Sequence, residues 1–126
     1  MIDELYETIG GNRIIWEATE IFYKKVLEDE NLKPFFESTD MANLQARQSM
    51  FISMLLGGRV VYTGKEIGEA HAHARMQGLT DAHFDQFLAH FRNALDEVGV
   101  KPDKAEKVME LLEARRAVVL NRPKSF

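Results

Sequence analysis

Cysteine does not occur anywhere in the 126 residues. Its absence rules out disulfides and thiolate ligation of zinc, iron–sulfur clusters or any other metal. Only histidine, carboxylate and neutral oxygen or nitrogen donors remain. Nucleophilic chemistry is short of means as well. No Gly-x-Ser-x-Gly elbow occurs, and the four serines fall in cap, helix or tail positions. Gly57-Gly58-Arg59 is not followed by Gly-Lys-Ser/Thr, so no phosphate-binding loop is present. Basic residues are outnumbered 16 to 20, and the resulting charge of −4 offers no electrostatic footprint for nucleic acid. No apolar run is long enough to span a bilayer; the nearest, Met50 to Leu56, is far too short. The acidic start Met1-Ile-Asp-Glu-Leu-Tyr6 lacks the basic-then-apolar layout of a secretory leader, so a cytoplasmic protein is expected. Strand-like alternation, internal repeats and linkers are missing too.

What is present is helical periodicity. At 45% hydrophobic and 29% charged, the composition is that of a soluble globular protein. The length suits one domain over residues 1–126, with 1–4 and 121–126 as frayed ends. After a short helical start around Leu5 and Ile9, Gly10-Gly11 allows a sharp turn, and Asn12 can cap a helix over about 13–29. On that helix Trp16, Thr19, Tyr23 and Val26-Leu27 recur at helical spacing, with Phe22 beside them. Pro34-Phe35-Phe36 can form a tight helical turn whose aromatic pair faces the core or a ligand. Ser38, Thr39 and Asp40 are cap candidates for a helix over about 41–56, along which Leu44, Gln48, Phe51, Ile52 and Leu55 form one stripe. Thr80 caps the strongest period, Phe84, Phe87, Leu88, Phe91, Leu95 and Val98, and Gly99 stops it. Pro102 starts the last helix, with Ala105, Val108, Met109, Leu112 and Val119 facing inward. The chain is therefore all-α, with four substantial helices whose short connections fit antiparallel pairs.

Several residues do not fit a plain helical core. Gln48 sits within an apolar stripe, where an unpaired amide would cost roughly 1–3 kcal/mol. Tyr23 lies among apolar positions, and the Phe35-Phe36 pair sits in a connection. His71 and His73 are two apart, so on a helix they cannot both face one site. No His-Glu-x-x-His or Glu-x-x-His pattern occurs, and His83 and His90 read as structural. One arrangement accounts for all of these: a flat apolar cofactor against Phe36 and Phe51, an iron on His71, and Tyr23 with Gln48 over the opposite face. A core hydrogen bond between Tyr23 and Gln48, with incidental surface histidines, is the plain alternative.

At these residues the sequence resembles the truncated haemoglobins, the short 2-on-2 globins, and within them group I. The resemblance runs from Leu5 to about Val119. It is carried by Gly10-Gly11, Phe22-Tyr23, Phe35-Phe36, Leu44-Gln-Ala-Arg47-Gln48, Phe51, Leu56-Gly57-Gly58, Tyr62-Thr-Gly64, Glu69-Ala-His71 and His83-Phe84. It implies a truncated-globin-like 2-on-2 helical sandwich around one haem b (iron protoporphyrin IX). His71 is then the proximal iron ligand, and His73 a solvent-facing neighbour. Tyr23 and Gln48 become the distal hydrogen-bond donors. Phe36, Leu44 and Phe51 line the haem, and Arg47 faces a propionate at its edge. Tyr62 is either a propionate contact or loop packing. Leu44 and Arg47 offer no internal iron ligand, so a five-coordinate ferrous form is expected. Ile52 stands at a gate-like position and implies an open apolar path. The last helix has no histidine to attach haem covalently.

The function so implied is reversible binding of O₂, with NO and CO as further ligands. NO dioxygenation, supplied with electrons by an external reductase, is the candidate chemistry. The alternatives are O₂ storage, delivery or gas sensing without turnover, and a haem-free helical interaction domain.

Overall fold

The computed structural model describes residues 4–37, 39–57 and 79–120. The expectations for Tyr62, His71 and His73 fall outside them. Among the described residues the only regular structure is helical. Helix α1 (Glu4–Thr8) turns into α2 (Gly11–Glu28) through two glycines, Gly10 at φ 117° and Gly11 at φ 68°. A side chain at Gly10 would meet Ile14 at 2.2 Å, so this corner needs glycine for space as well as for backbone angle. The glycines make the turn themselves. Asn12 is therefore not the cap: it lies inside the first turn, and Gly10 caps with no side-chain bond.

Helix α2 buries Ile15, Ala18, Thr19, Tyr23 and Val26. Trp16 was expected on this face and instead points outward, 42% exposed. The buried arc runs through Ile15 and Ala18, and places Trp16 one residue past its edge. A 3₁₀ turn, Lys33–Phe36, follows with Pro34 in its first positions. Helix α3 (Met41–Leu55) starts at Asp40, whose carboxylate accepts from the Asn43 N–H at 3.2 Å.

The stripe expected on α3 is also redistributed. Ser49, Ile52 and Ser53 are buried, whereas Leu44, Gln48, Phe51 and Leu55 are half-buried. Small side chains let α3 approach α2 closely, and the bulkier row is turned to one side of that seam. Thr19 and Ser49 hydrogen-bond across it at 2.8 Å. Tyr6 N–H to the Leu56 carbonyl, Thr19 to Ser49 and Tyr23 to Gln48 pair rising numbers with falling ones, so α2 and α3 run antiparallel.

Helix α4 (Asp81–Glu97) starts at Thr80 in a capping box with His83. It packs on α2 through Phe91 and Leu95. Helix α5 (Pro102–Glu113) adds Ala105 and Val108, both fully buried, to the same core. The last helix does not run unbroken to 119. It stops at Ala114 and resumes as α6 (Arg116–Val119). Among the described residues no helix is long and apolar enough to cross a membrane.

Candidate functional site

Tyr23 is 5% exposed on the inner face of α2, its ring in T-shaped contact with Phe22 and Phe36, centroids 4.8 Å and 6.0 Å away. The Gln48 side chain of α3 hydrogen-bonds its phenol. Amide and phenol each carry a donor and an acceptor, so the bond can run in either direction. Burial pushes the phenol well above its ordinary value, and the Gln48 bond and the Arg47 charge pull it back only in part. Burial wins. At neutral pH the group is a protonated phenol tied to the Gln48 amide.

The surrounding wall is apolar. Phe36 of the 3₁₀ turn meets Phe87 of α4 at 6.0 Å, edge to face. Phe51 of α3 packs against Phe84 of α4. Phe36, Leu44, Gln48, Phe51 and Phe87 are all half-buried and come from three separate elements. Arg47 is exposed at the rim. The structure thus brings Tyr23, Gln48 and Arg47 together with Phe36 beside the Tyr23 ring, while Phe51 packs on Phe84 and Leu44 is half-buried on α3. Among the described residues no cluster of three or more His, Cys, Asp or Glu could hold a metal ion.

Two other histidines are accounted for. His83 Nδ1 accepts from the Thr80 N–H at 3.2 Å, and its ring stands edge-on to Phe35 at 5.0 Å. His90 Nε2 bonds Asp29 Oδ2 at 2.8 Å, holding α4 to the end of α2. Both are structural, as their sequence positions suggest.

Sequence reasoning missed Phe87 as a wall residue. Its place in the α4 stripe signals burial, but nothing local says that its partner is Phe36. It also missed the Thr19–Ser49 seam, because hydroxyls 30 residues apart carry no sequence mark.

A family profile described as bacterial-like globin matches residues 4–121. This chain is a globin of the group 1 truncated haemoglobins. The group 1 truncated haemoglobin of Tetrahymena pyriformis is 37% identical to this globin over 118 residues, 94% of this chain and 95% of that one. The group 1 truncated haemoglobin of a Synechocystis species is 36% identical over 105 residues, covering 82% of this globin and 85% of its relative. Among solved structures, the T. pyriformis protein in its Fe(III) form superposes with a TM-score of 0.83 at 37% identity, covering 92% of this chain and 97% of that one. The 2/2 haemoglobin of a Synechococcus species, cyanomet and with covalently attached haem, gives 0.86 at 36% identity, covering 94% and 98%. The globin family implies haem binding and a small gaseous ligand. The half-buried aromatic side chains and the buried Tyr23 phenol beside Gln48 suit a flat apolar group with a polar contact.

Proposed function

We propose that this globin holds haem b between His71 and the Tyr23–Gln48 pair and binds O₂, NO and CO reversibly. Haem supplies a ferrous iron with one coordination position open to a diatomic gas. The observation that carries the reading is Tyr23: a buried, neutral phenol, oriented by an amide and facing half-buried aromatic side chains. Such donors act most strongly where water is excluded. Phe36, Leu44 and Phe51 would hold the ring system, and Arg47 and Tyr62 its propionates, Arg47 by a charge-assisted bond. No covalent link to haem is expected from the last helices, because α5 and α6 contain no histidine.

The chemistry we assign is NO dioxygenation in a cytoplasmic setting: NO, O₂ and one electron give nitrate. The electron comes from an external reductase. Tyr23 and Gln48 would hold the dioxygen and steady the negative charge that develops on it.

Protein reconstituted with haem tests the reading in stages. An intense violet absorption band is expected, with all of the haem extractable by acidified solvent as unmodified haem b. Absence of the band overturns the proposal. Rapid conversion of the O₂-bound protein to ferric protein and nitrate on mixing with NO is expected. Reversible O₂ binding without nitrate formation would leave storage, delivery or sensing as the function.

A further inference from the structure

One face of α4 meets the connection between α2 and α3 at three points. His83, Phe87 and His90 are spaced i, i+4, i+7 and so share that face. His83 is in T-shaped contact with Phe35, centroids 5.0 Å apart, and Phe87 meets Phe35 and Phe36 at 6.3 Å and 6.0 Å. The third point is polar. His90 Nε2 donates to Asp29 Oδ2 at 2.8 Å. The two side chains are only 24% and 17% exposed, so their bond is better shielded from water than one on an open surface.

Asp29 is where α2 ends and the chain changes direction, with an extended backbone at φ −94° and ψ 111°. Its other carboxylate oxygen accepts the Asn31 N–H at 2.9 Å. Its carbonyl accepts the N–H groups of Leu32 and Lys33 at 3.0 Å and 2.8 Å. These bonds converge on one residue, and His90 ties that residue to α4. Lys33 opens the 3₁₀ turn that ends at Phe36, and Phe36 is in T-shaped contact with the buried Tyr23 ring at 6.0 Å. Asp29, the turn and Phe36 thus link His90 to the Tyr23 ring. Leu32 and Phe35 also bury the turn beside Val26 and Phe87, but apolar packing has no direction. The Asp29–His90 bond supplies a fixed length and angle.

We propose that His90 and Asp29 are positioning residues for the candidate pocket: their bond sets how the 29–36 connection lies on α4, and so holds Phe36 against Tyr23. The inference rests on the reading of Tyr23 as the donor to a bound gas.

In the CO-bound ferrous protein, which is diamagnetic, the Tyr23–Phe36 ring contact can be read as an NMR cross-relaxation peak. His90→Phe keeps a ring but loses the donor. Asp29→Ser can still accept from the Asn31 N–H but loses the oxygen that His90 binds. In both, amide exchange over 31–36 is expected to quicken about tenfold, as for the loss of one hydrogen bond to a charged group. The ring peak should weaken and O₂ release should quicken. His90→Gln, which returns an N–H donor, should restore all three. Val108→Ala, a core change on α5, should lower the melting temperature without altering the ring peak. An unaltered ring peak in both His90→Phe and Asp29→Ser, or one equally weakened in Val108→Ala, overturns the inference. If the unaltered protein takes up no haem, the proposed function falls, and the ring peak and amide exchange of the haem-free chain still decide the inference.

Discussion

Thr19 Oγ1 and Ser49 Oγ lie 2.8 Å apart, both buried, in the seam where α2 and α3 cross. Thr19 also bonds the Trp16 carbonyl of its own helix at 2.8 Å, so the Ser49 hydroxyl depends on Thr19 for its described partner. Thr19→Val should lower stability by about 1–3 kcal/mol, since it strands the buried Ser49 hydroxyl, and Ser49→Ala by less, since Thr19 keeps its bond to the Trp16 carbonyl. The double variant should cost less than the sum of the two. A double-mutant cycle by urea unfolding measures this, and strict additivity would show that the bond contributes nothing.

Replacing Tyr23 by Phe removes the oriented donor with little change of shape. O₂ dissociation is expected to speed up by roughly 10- to 100-fold, corresponding to a hydrogen bond of about 1.5–3 kcal/mol in a dry site. Gln48→Leu should have a smaller effect, because the phenol then keeps its proton but loses its orientation. Stopped-flow release into an O₂ scavenger checks both.

The raised Tyr23 value carries its own pH signature. A phenol that ionises less readily when folded contributes stability that is full below its ordinary value of 10.0 and falls as pH rises beyond it. Denaturant midpoints measured across that range should decline with pH. Tyr23→Phe should flatten the decline.

Asp29 shows the opposite sign. The hydrogen bond from His90 holds its carboxyl below the ordinary 3.8, against the smaller effect of burial. Its contribution is full above that value and is lost as pH falls through the lowered one. Asp29→Asn and His90→Phe should both weaken the acid limb of the stability curve, as read by acid-unfolding midpoints. Unmoved midpoints would mean that the pair does not hold α4 to α2.

His71 and His73 separate the haem reading from a fortuitous one. His71→Ala should abolish stable haem uptake or normal coordination, while His73→Ala should leave the visible spectrum unaltered. Equal effects from the two would contradict the assignment.

Much of this globin is legible along the chain, for a definite reason. Periodicity, glycine, proline and capping side chains act within a few residues, so helices beginning at Asp81 and Pro102 and stops at Gly57 and Gly99 can be read locally. The anomalous Tyr23 and Gln48 stood out for the same reason: polar groups break an apolar period. What the period could not decide was which part of a broad stripe meets a neighbour. Only helix packing chose Ser49 for the α2 seam, left Leu44, Gln48, Phe51 and Leu55 half-buried, and left Trp16 in solvent. Close approach favours small side chains, and that preference depends on the partner helix. The grip of Arg116 on Asp81 and Asp85 was likewise set by tertiary structure alone, because it joins charges 35 and 31 residues apart that no local pattern links.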